Sequence, residues 1–227
     1  MREPNASGNV SVKQNEFFFF RQQNIAGIRG LRLMSGSTQS DLATRLQSEG
    51  APLGEVFSFI SGLYFRGKLA YSQKFAKVTD DVRPGYVITA SAGLIPCDRP
   101  VTLQQLHEIC AGEVDITNDK YRGPLDRDAN ELSDRVGTDC QIVLLGSIAT
   151  PKYVQPLLDV FGERLLFPAE FVGRGDMSRG GLMLSIGGDR SLQDPRMIMI
   201  IKEFNRGAGI TSACPPQILQ VPEPVAG

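Results

Sequence analysis

Between positions 173 and 181 the chain reads GRGDMSRGG, its densest mixture of glycine and polar side chains. Arg174 and Arg179 offer planar, permanent charge of the kind that grips phosphate or carboxylate through paired hydrogen bonds. Asp176 between them is a residue type that can take a proton in general-base chemistry. Ser178 adds a hydroxyl donor, and the glycines allow a ligand close to the backbone. These residues predict a loop that recognises an anion or a base. A second reading of the same residues has Asp176 capping a helix while it holds both arginines in a surface ion network.

Two other segments share the small, glycine-containing character. Residues 90–96 (ASAGLIP) contribute Ser91 and Gly93. Residues 146–150 (GSIAT) contribute Gly146 and Ser147, followed by Lys152. Exposed N–H groups where a helix starts after residue 150 would favour an anion. The GxxxxGK[ST] spacing of a phosphate-binding P-loop is absent, so the signal is one of composition.

Other reactive side chains point to less. The single histidine, His107, excludes any mechanism that needs two histidines in one chain, and reads as a half-buried helix residue. Cys97, Cys110, Cys140 and Cys214 form no CxxC pair, so neither a disulfide framework nor a zinc site is expected, and no metal site is assigned. Cys97 could act as a nucleophile only with a base from elsewhere in the chain. Asp80, Asp81, Asp126, Asp128 and Glu131 read as solvated charge. Tyr64, Arg66, Lys68 and Tyr71 mix aromatic and basic types, which suits nucleic-acid contact but equally suits a helix with one buried face. No cofactor is legible.

The elements that must position these residues follow from apolar periodicity. Residues 1–15 read as a flexible amino terminus, 16–204 as a single α/β domain, and 205–227 as an irregular tail. Phe17, Phe18, Phe19 and Phe20 form either a buried strand or a patch that docks a protein partner. Residues 24–38 read as loop, with a short strand at 31–34. A helix capped by Ser40 or Asp41 runs to Gln47. Pro52 opens a helical stretch to about Ala76, broken at Ser61-Gly62 or at Gly67. Residues 86–91 form a buried strand, and 92–96 a turn. Thr102 caps a helix to about Cys110, and Pro124 opens another to 136. Residues 141–146, 151–161 and 164–167 read as strand, helix and strand, a βαβ unit that requires parallel strands. Residues 182–186 and 197–201 form a closing hairpin, or else a helix end followed by a strand.

The predicted fold is therefore α/β, a three-layer sandwich with a mainly parallel central sheet and a C-terminal β-hairpin. The 227 residues carry a net charge of −1 and a pI of about 5.9, which excludes nucleic-acid coating by bulk charge. No apolar run approaches the ~20 residues needed to span a bilayer. With no export signal at the start, a cytoplasmic protein is expected.

The order GLYFRGKLAYSQKF, YVITASAGLIPCDRPVTL, IVLLGSIATPKYVQPLL and then a glycine-rich segment resembles an uncharacterised bacterial family. More distantly it is similar to YaaA-like domains and to the α/β domains associated with tRNA-guanine transglycosylases. Ser91, Gly93, Leu94 and Pro96 answer to the strand-end motif of those domains, and Lys152-Tyr153 to a later pair. The cysteine-rich opening strand that such domains often carry is missing here. The resemblance, over roughly 60–185, implies an α/β sandwich connected with nucleic-acid modification or repair. Together these readings predict a domain that binds a nucleotide or nucleic acid, with an enzymatic role as a further expectation. The alternative is a non-enzymatic protein docking through its phenylalanine-rich segment.

Overall fold

A computed structural model describes residues 15–35, 40–146, 148, 150–171, 173–188 and 197–199. The chain enters on β1 (Glu16–Arg21), then folds α1 (Ile28–Met34), α2 (Asp41–Gln47), a two-residue β2 (Ala51–Pro52), α3 (Leu53–Ser61) and α4 (Leu63–Phe75). It continues through β3 (Gly85–Ile88), β4 (Leu94–Pro96), β5 (Pro100–Val101), α5 (Leu103–Cys110) and α6 (Asp119–Val136). The last elements are β6 (Gln141–Leu145), α7 (Pro151–Phe161), β7 (Leu165–Pro168), α8 (Asp176–Gly188) and β8 (Met197–Met199).

The main sheet has the order β4-β3-β1-β6-β7-β8. The four inner strands are parallel; β4 and β8 close the edges antiparallel. β2 and β5 make a separate two-stranded ribbon. The mainly parallel α/β architecture is as the sequence predicts.

β1 is the centre of the molecule. Successive side chains of a strand point to opposite faces, and a strand covered on both sides reads as one apolar run. Phe18 and Phe20 enter the core beneath α3, α4 and α8, whereas Phe17 and Phe19 enter the core beneath α6 and α7. All four are fully buried. Edge-on ring contacts fix them, among them Phe18 to Tyr71 at 5.5 Å and Phe20 to Phe65 at 5.7 Å. Burying each contributes about 1.5–3 kcal/mol. The docking-patch reading of Phe17, Phe18, Phe19 and Phe20 is therefore wrong: neighbouring strands and both helical layers already cover them.

Several boundaries differ from expectation. Residues 28–34 are helix α1, not loop and strand. Residues 94–96 are edge strand β4, not a turn alone. α6 starts at Asp119, where Asn118 accepts a bond from the Lys120 N–H, so Pro124 lies inside the helix. Residues 182–186 belong to α8, so the predicted hairpin gives way to its alternative, a helix followed by strand β8. The break between α3 and α4 falls at Gly62, whose φ of 66° disfavours any other residue. The predicted terminal segments lie outside the described residues, save Asn15.

Candidate site at the carboxyl edge of the sheet

From β1 the chain crosses to β3 on one side, then returns to β6 on the other. That reversal makes the carboxyl ends of β1 and β6 the switch point of the sheet, and the region beside them, called the crevice below, is where ligands of open α/β sheets bind. Arg21 is the last residue of β1. Gly146 follows β6 directly. α8 begins with Asp176, and its first turn meets the chain at the end of β1 and just after β6. Arg21 Nη2 donates to Asp176 Oδ2 at 3.2 Å. Arg179 donates from Nε to the Phe171 carbonyl at 3.1 Å and from Nη1 to the Gly146 carbonyl at 3.4 Å. A second carboxylate oxygen of Asp176 lies 3.9 Å from Arg179.

Two glycines bring α8 onto α4. A Cβ at Gly180 would stand 2.9 Å from the Tyr64 Cα, and one at Gly67 would stand 2.8 Å from the Gly180 carbonyl oxygen. The backbones therefore meet without intervening side chains. Lys74 of α4 donates to the Ile186 carbonyl further along the same contact. This close packing carries Asp176 and Arg179 to the side chains of Tyr64 and Lys68.

Lys68 is fully buried, and its Nζ has no hydrogen-bond partner among the described residues. It lies 4.0 Å from the centre of the Tyr64 ring, a cation–π contact. Burial, reinforced by the positive charges of Arg21 and Arg179 and opposed by Asp176, pulls its pKa down to about 7. Burial and Asp176 push the Tyr64 hydroxyl upward, against the pull of Arg179. Tyr153, the tyrosine of α7, is likewise raised by burial, against the pull of Arg21. The crevice thus gathers Arg21, Lys68 and Arg179 around one carboxylate.

The nine candidate residues singled out in the sequence (Ser91, Gly93, Gly146, Ser147, Lys152, Arg174, Asp176, Ser178 and Arg179) do not all come together. Asp176, Arg179 and Gly146 meet at the crevice. Ser178 instead accepts from Arg174 Nη1 at 3.2 Å, while Arg174 Nε donates to the Glu170 carbonyl at 2.7 Å; this exposed cluster organises the turn into α8. The two arginines therefore do not share a ligand cavity, and 176–181 is helix rather than loop. Gly180 is approached by α4, not left open for a ligand. Ser91 Oγ donates to the Glu108 carbonyl and lines a surface depression with Arg99, Gln105 and Glu108. Gly93 has φ 65° and packs against α6, where an added Cβ would meet Asp128 Oδ2 at 2.1 Å; Asp128 also accepts the Leu94 N–H at 2.9 Å. Gly93 is a packing position. Lys152 lies on α7, across the sheet from α8, with its charge felt by Asp115. Ser147 lies outside the described residues.

Arg21 and Lys68 carry the site, yet the sequence reading missed the first and left the second ambiguous. A charged residue closing a four-phenylalanine run, and a lysine four residues after Tyr64, were the available signals. His107 is exposed and lines a shallow depression along α5. Burial raises the thiols of Cys97, Cys110 and Cys140, away from the reactive thiolate. Among the described residues no three His, Cys, Asp or Glu side chains converge as metal ligands, and no helix is long and apolar enough to cross a membrane. Compared with protein-family models, curated proteins and solved structures, the chain matches none.

Proposed function

We propose that this domain binds a phosphorylated ligand, a nucleotide or a nucleic-acid end, in the crevice between β1 and β6. One observation carries the reading: two guanidinium groups, Arg21 and Arg179, flank the carboxylate of Asp176 at the switch point of the sheet, with the buried amine of Lys68 within electrostatic reach. An incoming phosphate would replace Asp176 as the partner of the guanidinium groups. Arginine suits that role because its planar fork matches phosphate oxygens. The overall charge of −1 makes this a local site rather than a general polyanion surface.

The test is calorimetric titration with inorganic phosphate, nucleoside monophosphates and short single-stranded oligonucleotides. Arg21→Gln and Arg179→Ala should each weaken binding by about 1–3 kcal/mol, the scale of a charge-assisted hydrogen bond. Binding to oligonucleotides with a steep salt dependence would assign the site to a polymer; tight binding to a monophosphate would assign it to a nucleotide. No binding of any phosphate compound at low salt would overturn the proposal.

A further inference from the structure

Lys68 is an expensive residue for anion binding alone. A buried amine without a hydrogen-bond acceptor loses its hydration, and two arginines beside it make its charged form still less favourable. A methionine would fill the same space without that cost. What the surroundings produce instead is an amine about half neutral at pH 7, whose Nζ lone pair in that form is engaged in no hydrogen bond. Neutral lysines created by desolvation and neighbouring cations are the nucleophiles of imine chemistry. Arg21 and Arg179 stand beside that amine as seats for an anion.

From the buried, hydrogen-bond-free Nζ of Lys68 beside Arg21 and Arg179, we infer that the crevice takes a phosphorylated aldehyde or ketone and that Lys68 forms an imine with its carbonyl carbon. The inference rests on the phosphate reading above for the anionic end of the ligand; the amine chemistry stands on Lys68 itself. The phosphate displaces Asp176 from Arg21, which opens the way to Lys68. The Nζ lone pair then forms a bond to the carbonyl carbon, and the carbonyl oxygen takes up a proton. The nitrogen loses one proton, and the resulting hydroxyl leaves as water with a second proton, so that a C=N bond replaces C=O. Addition of water reverses each step.

The test is reductive trapping of the wild-type chain with sodium borohydride at pH 7, using glyceraldehyde 3-phosphate and, in parallel, uncharged glyceraldehyde. Reduction turns the imine into a stable secondary amine. Trypsin then no longer cuts after Lys68, and mass spectrometry finds the adduct on the peptide spanning residues 67–74. The expected result is one adduct on Lys68, formed at about tenfold lower concentration of the phosphorylated aldehyde and suppressed by inorganic phosphate. Equal trapping by both aldehydes at Lys68 would uphold the nucleophilic amine and overturn the phosphate seat. Adducts spread over surface lysines with none at Lys68 would overturn the inference, whatever the phosphate titrations show. Since the site is read from the wild-type protein, the result does not depend on any variant folding; Lys68→Arg, which carries a permanent charge and cannot form a stable imine, should lose the adduct where it folds.

Discussion

Replacing Lys68 with methionine should change how stability depends on pH. An ordinary lysine titrates near 10.5, whereas burial and two neighbouring guanidinium groups hold Lys68 near 7. Between those values the unfolded chain binds a proton that the folded chain does not, so stability must rise as pH rises. Below pH 7 the folded protein carries the whole penalty, a pKa difference worth roughly 5 kcal/mol; the penalty fades toward pH 10.5. Full burial leaves no solvent screening to discount. From pH 6 to pH 9 the wild type should therefore gain roughly 2.5 kcal/mol from this one group. Lys68→Met should lack that gain while keeping every other titration. The assay is chemical denaturation of both proteins, followed by circular dichroism, at pH 6, 7, 8 and 9. The difference between the two stability curves isolates Lys68, with the variant favoured most at pH 6. Parallel curves would show that Lys68 keeps an ordinary proton affinity in the fold, and both the desolvation argument and the nucleophilic amine would fail with it.

Other substitutions probe the same construction. Gly180→Ala places a methyl group 2.9 Å from the Tyr64 Cα and should cost about 1–3 kcal/mol, seen as a lower melting temperature together with weaker phosphate binding; an unchanged melting temperature would refute direct contact between α4 and α8. Asp176→Asn removes the internal competitor for Arg21 and Arg179. Phosphate should then bind about fivefold tighter, the equivalent of roughly 1 kcal/mol for a half-exposed ion pair; weaker binding in calorimetry would show that Asp176 supports the ligand rather than occupying its place. Gly93→Ala should destabilise by about 2 kcal/mol or more through its positive φ and the Asp128 contact, yet leave phosphate affinity of the folded protein unchanged. Lost affinity in the folded variant would return Gly93 to the ligand site.

The sheet was legible because its strands are buried on both faces. Residues 86–88 and 141–145 have no polar alternation to confuse them, and the helices that follow these strands include one capped by Thr102 and one opened by Pro151. Glycine misled the reading wherever it served packing. Gly30 made 28–34 look like loop, but a Cβ there would strike the Ile25 carbonyl at 2.1 Å, so the glycine admits a close chain crossing within a helix. Gly180 misled in the same way. Pro124 hid the first turn of α6, whose true start is marked by the Asn118 cap. The site was half legible: Asp176 and Arg179 announced themselves by type and spacing. Lys68 did not, because burial of an amine is a property of two helices meeting, and Arg21 did not, because its importance comes from strand order.

The meeting of α4 and α8 at Gly67 and Gly180 has a directional consequence. Glycine is the smallest residue, so no substitution at either position can bring the helices closer; every one can only wedge them apart. The approach of the two helix backbones that carry Arg179 and Lys68 already stands at its lower limit. Inherited variation along this seam is thus a one-way ratchet, relieving the crowding of positive charge and returning Lys68 toward the basicity of a surface lysine. A descendant chain can lose the neutral amine by single steps at positions 67 or 180, but it cannot sharpen it there.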